Sequence, residues 1–305
     1  MSSQGVIKAA VMQLAIASDN KAENFLACER RLRAAVAEGC NLIVLQELHA
    51  TTYFCQQERV ENFDLGEPLD GDTYQAYAAI AAELDVVLVI SQFERRAAGV
   101  YHNTAQVIDG AQGRAGVFRK MHIPDDPGFY EKFYFTPGDA DAELDGFRPI
   151  QTRLGKLGVL VCWDQWYPEA ARLMAMAGAD MLIYPTAIGW DPRDDQAEQL
   201  RQQDAWVTIQ RAHAVANGLP TLVANRTGFE ADPDGGAGIQ FWGTSFIAGP
   251  QGELLVQAPV HEEGFYLAEV DLGRSESVRR IWPYFRDRRV DAYGGLTKRW
   301  RTGNL

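Results

Sequence analysis

Lys156-Leu157-Gly158-Val159-Leu160-Val161-Cys162-Trp163-Asp164-Gln165-Trp166-Tyr167-Pro168-Glu169 passes within a few residues from an apolar run to a polar turn to the start of a helix. The apolar part reads as a strand buried on both faces, which occurs in sheets covered on both sides. Pro168 suits the first turn of a helix, and Gly178 suits its stop. Strand, turn and helix make the repeating unit of an α/β fold, whose sites gather at the carboxyl ends of the strands. Cys162 stands at such an end. A free cysteine there is most often a small buried hydrophobe. The polar turn that follows, just ahead of a helix N-terminus expected to lower a thiol pKa, points instead to a nucleophile.

Two more runs close in the same way. Asn41-Leu42-Ile43-Val44-Leu45-Gln46 leads to Glu47, and Arg114-Ala115-Gly116-Val117-Phe118-Arg119 leads to Lys120. Taken singly, Glu47 could be a solvated strand end, and Arg119-Lys120 an exposed basic pair. Together with Cys162 they supply a nucleophile, a proton shuttle and an oxyanion partner. A Cys–His pair is the competing arrangement, with His49, His122 or His213 as base. Metal chemistry is not expected, because Asp232-Pro233-Asp234-Gly235 lacks the ligand spacing of a calcium loop and no H-x-x-x-H pair occurs. Glycine motifs that cradle phosphate are absent too.

Working outward, strands are expected over residues 6–14, 86–93, 101–109, 181–184 and 220–225. Helices are expected over 20–38, capped by Asp19, and over 73–84 and 196–217. Residues 121–149 form a long loop rich in Pro, Gly, Asp and aromatics, expected to border the site. Short antiparallel strands follow at 244–248, 253–257 and 266–270, and the tail from 272 shows no periodic apolar face. No linker or repeat divides the chain, so the 305 residues are read as one domain whose sheets are covered on both faces.

Composition narrows the partners. The chain is 47% hydrophobic and 23% charged, within globular averages. A formal charge of -12 argues against nucleic acid, which needs clustered Lys and Arg, and gives weak support to a cationic substrate. Four cysteines without C-x-x-C spacing fit reduced thiols. The short polar start leaves no room for a signal peptide, and no apolar run approaches the ~20 residues of a membrane span. A cytoplasmic protein without membrane contact is expected.

The strings Tyr53-Phe54-Cys55-Gln56, His122-Ile123-Pro124-Asp125, Glu131-Lys132-Phe133-Tyr134-Phe135, Cys162-Trp163-Asp164-Gln165-Trp166 and Pro185-Thr186-Ala187-Ile188-Gly189 carry a family resemblance. With Ser245-Phe246-Ile247-Ala248-Gly249-Pro250 and Phe285-Arg286-Asp287-Arg288-Arg289, they resemble the carbon–nitrogen hydrolases of the nitrilase superfamily over nearly the whole chain. The likeness is greatest to the branch that hydrolyses carbamoylated diamines. The resemblance implies a four-layer α-β-β-α sandwich, a Glu47-Lys120-Cys162 triad, and no metal or organic cofactor. It further implies that Glu131 orients Lys120 or water, and that the backbone N–H of Trp163 joins Lys120 at the oxyanion. A homo-oligomer is implied as well, with the Arg- and aromatic-rich tail at 281–300 as an interface element.

A distal ammonium on the substrate would need an anionic partner. Asp191 is the first candidate and Asp125 the second, with Tyr53 and Trp190 flanking the methylenes and Ala187 lining the pocket. An amidase acting on carbamoyl amino acids or aliphatic amides is the nearest alternative, and an anionic substrate of that kind would call for an Arg clamp. A scaffold protein without catalysis is a further one, which loss of a triad residue would have favoured.

Overall fold

The computed structural model describes residues 5–141 and 143–301. The first four residues, on which the expectation of a leaderless start rests, and the last four of the tail lie outside them. In chain order the first half runs β1 (Val6–Gln13), α1 (Lys21–Ala37), β2 (Leu42–Val44), α2 (Asp72–Leu84), β3 (Val87–Ala97), β4 (Val100–Asp109) and β5 (Gly113–Arg119). The long loop follows, carrying a single helical turn, α3 (Glu131–Tyr134), and then come β6 (Ile150–Thr152), β7 (Gly155–Val159) and α4 (Pro168–Met176). Next are β8 (Met181–Pro185), β9 (Gly189–Trp190), α5 (Gln196–Asn217), β10 (Thr221–Ala224), β11 (Thr227–Glu230) and β12 (Ile239–Trp242). The chain closes with β13 (Phe246–Ala248), β14 (Leu254–Gln257), β15 (Gly264–Asp271) and α6 (Leu272–Ile281).

Two six-stranded sheets, ordered β15-β1-β2-β3-β4-β5 and β14-β13-β10-β8-β7-β6, make the centre, and β11-β12-β9 form a small third sheet. Alternation along the strands sorts the layers. Ala9 and Val11 of β1, Leu42 and Val44 of β2, and Val87 and Val89 of β3 face the second sheet in one core. Their neighbours Ala10, Met12, Ile43, Leu88 and Ile90 face the other way, onto Leu32 of α1 and Tyr77 and Ile80 of α2. On the second sheet's outer side Ala170 and Met174 of α4 and Trp206 of α5 complete the packing. The result is the expected α-β-β-α sandwich. Gly158 interrupts the apolar run of β7 because a Cβ there would come within 3.0 Å of the Ala179 side chain and 3.1 Å of that of Met174. Glycine lets α4 lie close on the strand that delivers Cys162.

Strand direction then places the site. β2 runs parallel to β3, β4 reverses, and β5 restores the direction, so β2 and β5 end on the same edge. β7, β8 and β10 are mutually parallel in the facing sheet. The backbone N–H of Glu47 donates to the carbonyl of Thr186 at 3.2 Å, joining the two sheets at their carboxyl ends.

Several local expectations are corrected. Asn20, not Asp19, caps α1, its side chain accepting from the N–H groups of Ala22 (3.1 Å) and Glu23 (3.4 Å). Asp19 instead accepts the hydroxyl of Thr52. The tail, expected to lack a periodic apolar face, opens with α6, which buries Leu272, Ser275 and Val278. Its buried stripe was hidden because it holds only two apolar residues, with Ser275 between them, in a segment rich in Arg and Ser.

Candidate active site

Glu47, Lys120, Glu131 and Cys162 meet where the two sheets end. The first three are fully buried and Cys162 is 4% exposed. Lys120 Nζ donates to Glu47 Oε1 at 2.8 Å and to Glu131 Oε2 at 2.6 Å. Asn103 Nδ2 also donates to Glu47 Oε1, at 2.6 Å, while Glu47 Oε2 has no hydrogen-bond partner among the described residues. An ammonium has three N–H bonds, so one remains for a further acceptor. Burial works against the charge on Lys120, yet the Glu131 and Glu47 carboxylates outweigh it and hold its pKa well above the ordinary range. Two carboxylates share one ammonium, however. Burial pushes the Glu131 carboxyl up to about 7, with Lys120 opposing and Glu47 reinforcing the shift.

Cys162 adopts a left-handed backbone, φ +44°, as does Leu48 beside Glu47, φ +46°. For residues with a Cβ such conformations cost about 1–3 kcal/mol and persist only where the surroundings impose them. At Cys162 the imposing group is Asp164, in the 3₁₀ turn Cys162–Trp166. Its Oδ2 accepts from the N–H of Val161 at 2.9 Å, and its Oδ1 accepts from the N–H of His122 at 2.9 Å and meets His122 Nδ1 at 2.7 Å. One buried carboxylate thus locks the nucleophile's turn to the loop that follows Lys120. The expectation of a thiol acidified by a helix N-terminus is overturned. A 3₁₀ turn intervenes before α4, and burial, reinforced by the Glu47 charge, raises the Cys162 pKa well above its ordinary value. It rests as a thiol and needs a base.

Among the described residues no hydrogen bond joins a histidine to the Cys162 thiol, which points at the carbonyl of Ala187, 4.0 Å away. Of the three candidates, His122 is bound to Asp164 and stacked on Tyr167, with ring centroids 3.8 Å apart. His213 Nε2 meets the carbonyl of Gln165 at 2.7 Å. His49 is packed edge-on to Tyr77, and burial pushes its pKa down to about 3. Within the cluster of Glu47, Lys120, Glu131 and Cys162, it is Glu47 that carries a buried oxygen without a hydrogen-bond partner among the described residues.

A cavity of about 600 Å³ opens onto Cys162 and Glu131, between Trp163, Trp166, Ala187 and Trp242 and the acidic residues Asp126, Asp191, Asp194 and Glu198. Trp163, Ala187 and Asp191 therefore line it as the sequence suggested. Three others do not. Tyr53 is 1% exposed, and its hydroxyl donates to Glu131 Oε1 at 2.7 Å, so it supports the cluster from behind. Trp190 turns into the core, donating Nε1–H to the carbonyl of Gln199 at 2.7 Å, and Trp242, 5.6 Å away between ring centroids, takes the wall position. Asp125 is exposed, whereas its neighbour Asp126 faces the cavity with Oδ1 buried and unpartnered. The sequence offered no signal to choose between adjacent aspartates, because side-chain direction in a loop follows no period, nor between Trp190 and Trp242, whose strands are too short to show an alternation.

With the geometry in place, residues 8–280 match the family described as carbon-nitrogen hydrolase. The chain belongs to the carbon–nitrogen hydrolases of the nitrilase superfamily. This hydrolase is 43% identical over 279 residues to the N-carbamoylputrescine amidase of Arabidopsis thaliana, covering 90% of each chain. It is 38% identical over 295 residues to the citrullinase of Francisella tularensis, covering 96% of this chain and 99% of that one. Among solved structures, the carbon-nitrogen hydrolase of Helicobacter pylori G27 superimposes with a TM-score of 0.92 at 51% identity, covering 97% of this chain and 100% of that one. The sandwich and the hydrolase class are therefore established.

Proposed function

We propose that this enzyme hydrolyses N-carbamoylputrescine to putrescine, carbon dioxide and ammonia through a Cys162 thioester. The observation that carries the reading is the charge of the cavity wall beside a ureido-hydrolysing cluster. Five carboxylates and one guanidinium line it. Three of the five are already matched: Glu131 by Lys120, Asp191 by Arg193 and Glu198 by Arg201. Asp126 and Asp194 have no cationic partner among the described residues, and Asp126 is half-buried, its pKa raised by burial. A substrate ammonium would neutralise that charge. Asp126 thus replaces Asp191 and Asp125 as the first partner for the ammonium, with Trp163 and Trp242 beside the methylenes.

In this mechanism Sγ attacks the ureido carbon while the thiol proton passes to Glu47 Oε2. Lys120 and the Trp163 N–H hold the oxyanion. The bond to the terminal nitrogen breaks, the proton leaves with ammonia, and a carbamoyl thioester remains. Glu47 then takes a proton from water, whose oxygen attacks the thioester. The C–S bond breaks, the thiol regains the proton, and the released carbamate loses carbon dioxide to give the amine. Neither a metal nor an organic cofactor enters these steps.

Citrulline is the second reading, favoured by the Francisella relative and by Arg201 in the wall. It shares the ureido head and the ammonium, but its carboxylate would have to draw Arg201 from Glu198, 2.7 Å away. The test compares kcat/KM for N-carbamoylputrescine, citrulline, N-carbamoyl-β-alanine and N-butylurea, in the wild type and in Asp126→Asn. We expect the first to be preferred, and Asp126→Asn to raise its KM about tenfold, or about 1.4 kcal/mol, while N-butylurea is unaffected. Preference for N-butylurea or N-carbamoyl-β-alanine would sink the cationic pocket.

Two further readings, a reducing compartment and self-association, belong to this proposal. All four cysteines are free and buried, which fits a reducing cytoplasm. Among the described residues no helix is long and apolar enough to cross a membrane. Ile281, Trp282, Val290, Leu296 and Trp300 are each more than half exposed, an apolar surface suited to contacts between copies of the chain.

A further inference from the structure

Arg226 is fully buried, and nothing in the mechanism above uses it. It follows β10, where a strand end in the second sheet faces the end of β2. Its Nη2 donates to three backbone carbonyls of the turn after the base: Glu47 at 3.3 Å, Thr51 at 3.0 Å, and Leu48 between them. Leu48 is the residue in the left-handed conformation, and its N–H is held in turn by Ser91 Oγ at 3.0 Å. The other arm of the guanidinium, Nη1, donates to Glu230 Oε1 at 2.6 Å. Glu230, itself 5% exposed, uses Oε2 to accept the N–H of Tyr53 at 2.5 Å.

These contacts close a ring. From Arg226 one path runs straight to the Glu47 backbone. The other runs through Glu230 to Tyr53, from the Tyr53 hydroxyl to Glu131 at 2.7 Å, from Glu131 to Lys120 at 2.6 Å, and from Lys120 to the Glu47 carboxylate at 2.8 Å. A buried ion pair is a weak source of stability on its own, and burying Arg226 and Glu230 is costly. Their cost is understandable if they fix geometry, because a planar guanidinium offers donors at set angles that an ammonium cannot.

We propose that Arg226, with Glu230, is a positioning residue that sets the relative placement of the Glu47 and Glu131 carboxylates around Lys120, and that its effect on turnover travels through Tyr53 as well as through the turn at Leu48. The inference rests on the hydrolase reading given above.

The experiment is a double-mutant cycle on the full-length enzyme with Arg226→Lys and Tyr53→Phe, with Glu230→Gln as a second entry to the same ring should Arg226→Lys fold poorly. Each single variant is expected to lower kcat about tenfold or more with KM within twofold, and to displace the pH profile of kcat. The double variant should lose much less than the product of the single losses, since residues in one network are not additive. The rate of iodoacetamide alkylation of Cys162 against pH is followed in parallel. It requires no substrate, so it still tests the ring if N-carbamoylputrescine proves to be the wrong substrate, and its profile should shift in each variant. Multiplicative losses in kcat with unshifted alkylation profiles would overturn the inference, and so would variants that raise KM alone.

Discussion

At Glu131 burial and charge pull in opposite directions, and the balance has a measurable sign. An unfolded glutamate titrates near 4.5, while the folded carboxyl is pushed up to about 7 by burial. Between those values the folded chain holds more protons than the unfolded one, so this residue's contribution to stability is full below about 4.5 and falls as pH rises to about 7. Glu131→Gln removes that dependence. Urea midpoints for the two proteins, measured from pH 4.5 to 8, should converge or cross as pH rises, the wild type losing ground to the variant. Parallel curves would show that Glu131 is ionised throughout. The variant should also lose turnover, since Lys120 would keep only Glu47 as an anionic partner. At this scale the sequence was legible where a residue closes a strand. Glu47, Lys120 and Cys162 each end an apolar run, and strand ends of like direction converge by topology. Tyr53 was misplaced because it lies in an irregular segment, and Trp190 because β9 has two residues, too few for a pattern to say which way a ring points.

At the scale of elements, the 3₁₀ turn Cys162–Trp166 is what makes a strand end into a nucleophile. Asp164 satisfies the buried N–H of Val161 and the half-buried N–H of His122, and so joins the nucleophile's turn to the loop after Lys120. Leaving a buried donor unpaired costs about 1–3 kcal/mol. Asp164→Ala should therefore lower stability by at least that much. It should also reduce kcat more than stability alone explains, because the Cys162 turn and the Lys120 loop would lose their common anchor. Thermal unfolding and steady-state kinetics below the melting range check both. Unchanged kcat in a destabilised variant would make Asp164 structural only. The sequence showed the turn but not its partner. His122 lies 42 residues away, and the packing of the two sheets, with β5 against β6 beside β7, brings the loop onto the turn. The helix α6 was missed for the opposite reason, since its stripe of Leu272, Ser275 and Val278 is short and mixed with charge.

Over the whole molecule, the sandwich explains why one edge carries the chemistry. The two sheets bury their facing surfaces in a common core, and their carboxyl ends meet at a single rim. Continuous apolar runs in the sequence told of sheets covered on both faces, but not that the two sheets pack on each other. That step came from the family resemblance, and alternation of Ala9 and Val11 against Ala10 and Met12 accounts for it physically. The exposed apolar tail belongs to this scale too. Light scattering should give a mass that is a multiple of 33.9 kDa, and Trp300→Arg together with Ile281→Glu should lower it. A single species of 33.9 kDa in the wild type would remove the tail from any self-assembly.

The most direct measurement follows putrescine and ammonia from N-carbamoylputrescine, with the wild type and Cys162→Ser assayed side by side. We predict one putrescine for each ammonia from the wild type and neither from the variant, whose circular dichroism and melting should stay those of a folded protein. Equal release by Cys162→Ser, or ammonia without putrescine from the wild type, would contradict the thioester route at the centre of this account.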